Sequence, residues 1–321
     1  MGQPVLYPKT VRLAHLTDLH LLSLDGASFS DFVNKRWTGA VNLLLNRGRH
    51  YLTEVFDALV DDLNSQAIDQ VACTGDVSNL SLASELRFAR AHFDRIAVGA
   101  SNVICVPGNH DTYIAEAVGL FEQLFAPYCG ADEGWQRPGA PAGPAQWPVV
   151  RVRGDLALIG LSTSQPSAWF MGYGSVGRAQ LDLLESALRD PRLDGKFRVV
   201  VMHHPSAGRH ARSLRRGLHD HQDFAGVIRR AGAELVVHGH EHLDLREVLS
   251  GPAGAQVPVL GVQSGSYAID SATKRARYRI FHIERTSIAP GARPRLLSAE
   301  LRTWRPRAAR FEPEDQATSH P

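Results

Sequence analysis

The 321-residue chain has almost no net charge. Thirty-five Lys and Arg stand against 33 Asp and Glu, a balance of +2 with His neutral. So small an excess makes no global field that draws a chain onto nucleic acid. No long basic or aromatic-studded stretch replaces it, so no nucleic-acid partner is expected. Lysine is scarce: only Lys9, Lys35, Lys196 and Lys274 occur, and the remaining basic residues are Arg, the side chain suited to bidentate phosphate contacts. Cysteine numbers three, an odd count with neither zinc nor CxxC spacing. Cys73 and Cys105 lie in apolar runs and read as buried thiols, which excludes a disulfide scaffold and fits a reducing compartment. No apolar run approaches the ~20 residues that span a bilayer. The opening MGQPVLYPKT lacks the apolar centre of a secretion signal. A cytoplasmic location is expected.

What the chain does have is alternation. Short apolar runs at Val11–Leu16, Gln70–Thr74, Asn102–Val106, Val149–Val152, Leu156–Leu161, Arg198–Met202 and Leu235–His238 read as strands. Amphipathic stretches at Leu52–Leu63, Ala83–Ala97, Ile114–Phe125, Arg178–Leu188 and Phe224–Arg230 read as helices. Later segments, Leu245–Leu249, Val257–Val262, Tyr278–Ile283 and Leu296–Thr303, turn to a hairpin pattern. The fold class is α/β, with one domain expected over residues 1–304 and a polar, disordered tail over 305–321. Residues 22–50 are too long for a plain strand-to-helix loop. Within them Val33, Trp37, Ala40, Val41, Leu44 and Leu45 form a helical apolar stripe flanked by Lys35, Arg36, Arg47 and Arg49. This insert is a candidate cap, and a basic amphipathic segment of this kind can rest on an anionic membrane.

Five of the apolar runs end in metal-type ligands. They end in Thr17-Asp18-Leu19-His20, Thr74-Gly75-Asp76, Pro107-Gly108-Asn109-His110-Asp111, Met202-His203-His204-Pro205 and His238-Gly239-His240-Glu241-His242. In α/β sheets, sites form where strand C-termini meet their loops. Imidazole mixed with carboxylate and amide oxygen suits Mn²⁺, Fe²⁺/³⁺ or Zn²⁺ and suits Ca²⁺ poorly. The donors overfill one tetrahedral site and suit two metals sharing a carboxylate.

The ordered blocks DxH, GD, GNHD, H and GHxH resemble the calcineurin-like metallophosphoesterases. The resemblance spans residues 18 to 242 and implies a four-layer α/β/β/α sandwich with the metal site at the strand C-terminal ends. It implies that Asp18, His20 and His242 hold one metal, that Asn109, His203 and His240 hold the other, and that Asp76 bridges them. His110 would face the substrate phosphate, with Asp111 orienting it, while a metal-bound hydroxide attacks phosphorus in line. Purple acid phosphatases place a Tyr ligand three residues after the bridging Asp. Asn79 stands there in this chain, which therefore looks more like the class III cyclic-nucleotide phosphodiesterase branch.

A small phosphorylated substrate, a nucleotide-type phosphodiester, is thus expected. Beside the metals, His204, Arg209 and Arg212 are candidate substrate contacts. Two other readings stay open. One is a hydrolase of UDP-diacylglucosamine at the inner membrane, with the insert receiving acyl chains. The other is a non-catalytic scaffold of the same fold.

Overall fold

The computed structural model describes residues 10–28, 36–37, 50–136, 146–285 and 294–314. Among them, twelve strands form two six-stranded sheets. The first sheet contains β1 (Thr10–Leu16), β2 (Gln70–Cys73), β3 (Val103–Cys105), β10 (Arg277–Arg285), β11 (Pro294–Arg305) and β12 (Arg310–Pro313), in the order β12-β11-β10-β1-β2-β3. The second contains β4 (Val149–Arg153), β5 (Leu156–Gly160), β6 (Phe197–Val201), β7 (Leu235–His238), β8 (Arg246–Ser250) and β9 (Gln256–Gly261), in the order β4-β5-β6-β7-β9-β8. β1, β2 and β3 run parallel to one another, as do β5, β6, β7 and β9, so their C-terminal ends share one rim.

The layering follows from which faces are apolar. β5, β6 and β7 read LALIG, FRVVV and LVVH with nearly every side chain buried, the pattern of strands covered on both faces. Leu13, Ala72 and Ile104 meet Leu158, Val199 and Val237 between the sheets. On the outer face of the first sheet lies helix α1 (Thr53–Ser65), which buries Val55, Phe56, Leu59, Val60 and Leu63 along one stripe. Helix α2 (Ala83–Phe93) joins it there. The second sheet is covered by a helix at Arg178–Leu188 and another at His221–Ala231, whose Leu184, Phe224 and Ile228 are fully buried. This is the expected four-layer α/β/β/α sandwich.

Three expectations are corrected or fall outside the description. Ile114–Phe125 is not one helix. A 3₁₀ turn at Ala115–Ala117 stops at Gly119, whose φ of +83° leaves the helical region, and short helices follow at Leu120–Leu124 and Ala126–Cys129. The tail is not disordered up to residue 314. β12 pairs with the end of β11, Phe311 buries itself against Trp304 and Tyr278, and Glu314 receives two hydrogen bonds from Arg277. The apolar stripe of the insert lies outside the described residues, apart from Arg36 and Trp37.

Candidate metal centre

Three of the five ligand blocks, the first, second and fifth, leave their strands at the shared rim through strained backbone. Asp18, His20, Asp76, His240 and His242 all have φ between +47° and +73°. Such φ values cost non-glycine residues on the order of 1 kcal/mol each, and they persist where surrounding contacts fix them. Those contacts cross between strands. Asp18 N–H donates to the Gly75 carbonyl at 2.9 Å, His20 N–H to the Asp76 carbonyl at 2.9 Å, and His240 N–H to Asp18 Oδ2 at 2.9 Å. Gly108 has a separate reason to be glycine. A Cβ there would stand 2.1 Å from Asp76 Oδ1 and 2.3 Å from its backbone N.

The side chains converge into two adjoining cages. In the first, His242 Nε2 lies 3.0 Å from Asp18 Oδ1 and 3.3 Å from His20 Nε2. In the second, His203 Nε2 lies 3.1 Å from Asn109 Oδ1, 3.2 Å from His240 Nδ1 and 3.5 Å from Asp76 Oδ2. Asp76 Oδ2 is also 3.8 Å from His20 Nε2, so one carboxylate joins the cages. All seven residues nominated as ligands therefore meet at one place. His110 sits at the edge, close enough for a ring nitrogen to group with His20 and Asp76.

Outer contacts fix which ring atoms face inward. His203 Nδ1 faces the Thr74 carbonyl at 2.6 Å, His20 Nδ1 the Ser78 carbonyl at 3.3 Å, and His110 Nδ1 the Asn79 carbonyl at 2.7 Å. A carbonyl only accepts, so each of these nitrogens carries its hydrogen. In the neutral ring the opposite Nε2 then holds a lone pair, the arrangement that ligating histidines use. Burial pushes the Asp76 carboxyl up, but His203, His110 and His20 outweigh it and hold the group well below the usual carboxylate range. Asp18 is likewise held low, burial being overcome by His242 and His203. His203 shows the reverse side of this pairing. Burial lowers its pKa, while Asp76 and Asp18 raise it to about 9. His240, buried beside His204 and His203, is held well below the ordinary imidazole value.

Several nominated neighbours do other work. Asp111 does not orient the His110 ring. Its buried carboxylate accepts from the Gly108, Val77 and Ser78 N–H groups and from Ser78 Oγ, tying the second and third ligand blocks together. Burial and the nearby Asp76 raise its pKa to about 7. His204 is no substrate contact. Its Nε2 donates to the Gly172 carbonyl at 3.0 Å, its Nδ1 accepts from Thr163 Oγ1 at 2.7 Å, and its ring packs on His240. Burial and His203 push it down to about 3, a neutral packing imidazole. Arg209 and Arg212 are exposed, and Arg209 meets His210 rather than a ligand. Arg216 is the loop arginine that reaches the site, donating to the His240 carbonyl at 3.0 Å.

Sequence reasoning missed Tyr51, Arg36 and Glu85. Tyr51 Oη lies 3.0 Å from His242 Nδ1, its ring edge-on to His20. Arg36 donates to the Leu80 and Ser81 carbonyls at 2.7 and 2.8 Å, and Glu85 accepts from the Leu80 and Leu82 N–H groups. Together they clamp the turn whose Asn79 carbonyl holds His110. Arg36 thus turns inward, where it had been expected to flank an acyl-binding face. These residues sit in no motif and announce themselves only through tertiary contacts.

Residues 11–244 match the family model for calcineurin-like phosphoesterases. The chain belongs to this family. In fold it is similar to a purple acid phosphatase from yellow lupin, with a TM-score of 0.56 and 11% identity over 96% of this chain and 53% of that one. It is also similar to a dimetal phosphatase from Danio rerio, with a TM-score of 0.53 and 14% identity over 90% of this chain and 98% of that one. The chain spans about half the length of the lupin protein. No curated protein sequence matches it. The family is one of metal-dependent phosphoester hydrolases, and its dimetal character can be tested on these residues. They fit. Asp18 Oδ1 is buried without a hydrogen-bond partner, and His20 and His242 turn nitrogens toward each other at 3.3 Å. A carboxylate oxygen and two ring nitrogens so placed are a donor set that a cation would take.

Proposed function

We propose that this phosphoesterase hydrolyses a phosphodiester bond in a small nucleotide-type molecule in the cytoplasm. The observation that carries this reading is the pair of cages joined by Asp76, with His110 at their open edge. Asp18, His20 and His242 would hold one metal; Asn109, His203 and His240 the other. Mn²⁺, Fe²⁺/³⁺ or Zn²⁺ suits the donors. When bound, the pair supplies positive charge for phosphoryl oxygens and an acidified water. The chain's own contribution is positional. Strained, cross-linked turns fix the ligands, and the Asn79 carbonyl holds Nδ1–H of His110, so that in the imidazolium form the Nε2–H is the proton given to the departing oxygen, leaving the neutral ring.

Asn79 supports the diester side of the reading. Its amide donates to the His20 and Leu21 carbonyls at 2.7 and 3.2 Å, bracing the first cage from outside it. It does not stand in for the purple enzymes' metal-bound tyrosine. The acyl-chain reading rested on the stripe of the insert, which lies outside the described residues.

The test compares bis-p-nitrophenyl phosphate with p-nitrophenyl phosphate at several Mn²⁺ concentrations. The diester should be the better substrate by kcat/KM. A monoester preference would overturn the diester assignment, and hydrolysis of neither with any of the three metals would overturn the activity.

A further inference from the structure

Two exposed aromatic side chains stand on a tight turn beside the metal centre. Trp169 is 53% exposed and Phe170 83% exposed. The turn closes where Met171 N–H donates to the Ala168 carbonyl at 3.1 Å, and Phe170, its third residue, has a φ of +62°. A bulky side chain at positive φ is a true outlier that glycine would relieve.

The residue after the turn, Gly172, runs close past the nominated ligands. Gly172 receives the His204 ring on its carbonyl and donates its N–H to the Arg215 carbonyl at 2.9 Å. A side chain at Gly172 would stand 3.3 Å from Asn109 Nδ2 and 3.7 Å from His240 Cε1. Phe170 is two residues away, so its Cα lies within about 7 Å of Gly172. Behind the turn, Tyr173 stacks on His219 with ring centroids 4.1 Å apart, and His219 Nε2 donates to the Leu214 carbonyl. These contacts hold the turn, and the two aromatic residues on it, at the rim of the metal cages.

We infer that Trp169 and Phe170 form a stacking subsite for a planar aromatic group attached to the substrate phosphate, a nucleobase being the fitting class. This rests on the phosphoesterase reading above and deepens it. A planar ring needs only one aromatic face to stack on. An acyl chain needs walls on several sides, and Leu214, 80% exposed, is the further exposed large apolar side chain on the neighbouring loop. Base stacking on an aromatic side chain corresponds to about 5- to 150-fold in affinity.

The test is calorimetric titration of the metal-loaded protein with AMP, ribose 5-phosphate, octyl phosphate and inorganic phosphate. AMP should bind at least tenfold more tightly than ribose 5-phosphate. Trp169→Ala and Phe170→Gly should each remove much of that advantage by weakening AMP and not ribose 5-phosphate. Phe170→Gly should melt no lower than the wild type, because it relieves the positive φ, so its loss of AMP cannot be assigned to unfolding. Equal affinity for AMP and ribose 5-phosphate in the wild type would overturn the subsite while leaving the phosphoesterase reading intact. Tighter binding of octyl phosphate than AMP would overturn it in favour of an acyl chain. Failure of inorganic phosphate and all three esters to bind would overturn both.

Discussion

Glu85 offers a stability prediction with a worked sign. It is fully buried at the start of α2, its Oε2 accepting from Leu80 N–H at 2.9 Å and Leu82 N–H at 3.2 Å. Oε1 is buried with no hydrogen-bond partner. Burial raises its pKa to about 7 against an ordinary 4.5, and the backbone donors only partly oppose this. Folding therefore favours the protonated form. Its contribution is fully present below pH 4.5 and is lost as pH rises through 7. About 2.5 pH units at roughly 1.4 kcal/mol each sets the whole effect on the order of 3 kcal/mol, and about 2–3 kcal/mol of it falls between pH 5 and pH 8.

Glu85→Gln keeps the shape and an acceptor oxygen and removes the titration. Urea denaturation of both proteins at pH 5 and pH 8 gives four free energies. The wild type should lose about 2–3 kcal/mol relative to the variant between the two pH values. A wild-type-minus-variant difference that stays constant with pH would refute the buried, proton-favouring environment. The same residue clamps the turn that holds His110. A variant that disturbs the clamp should therefore lower kcat more than it raises KM.

Asp76→Asn should lose at least one metal per chain by elemental analysis, with activity down by about three orders of magnitude or more; two metals with near-normal turnover would defeat the bridging role. His110→Ala should keep its metals while kcat falls by about 10²–10⁴, with a smaller loss for p-nitrophenolate, which leaves without a proton. An equal loss for good and poor leaving groups would favour charge stabilisation by His110 over proton donation. His203, raised to about 9 by Asp76 against the pull of burial, must shed a proton to become a ligand. Metal affinity should therefore climb with pH up to that value, and titrations in buffers of different ionisation enthalpy should show proton release. Proton-neutral binding at pH 7 would contradict it.

The ligand set was legible because its signal is local and its physics is shared. Each of Asp18, Asp76, Asn109, His203 and His240 follows a short apolar run, and parallel strands bring such ends to one rim whatever the loops between them do. The glycines between them serve the same close approach. Gly75 takes φ of +93°, and Gly108 lets Asp76 approach within 2.1 Å of where a Cβ would be. Alternation gave the α/β class and the resemblance implied the four layers; in the structure period two fails in LALIG and FRVVV, as it does in strands covered on both faces.

What stayed hidden depends on contacts between residues far apart in sequence. His204 and His203 are adjacent and chemically identical, and only the Thr163 hydroxyl and the Gly172 carbonyl make one a packing ring, while the other turns its Nε2 toward Asn109 and Asp76. Asp111 follows His110 directly, yet the backbone turns it toward Gly108 and Ser78, and the Asn79 carbonyl takes the orienting role. Phe311 lies in a polar tail, but β11 offers an edge and a Trp304–Tyr278 surface, and Phe311 together with the Arg277–Glu314 pair holds residues 310–314 on the sheet. In each case composition argued for exposure or for chemistry, and a specific tertiary partner decided otherwise. The same reasoning separates the arginines of the 206–222 loop. Arg209, Arg212 and Arg216 are alike in sequence, and Arg216 becomes part of the site because the carbonyl of His240, left-handed at φ of +73°, accepts its guanidinium. The strain that aims the ligands also sets which distant side chains can support them.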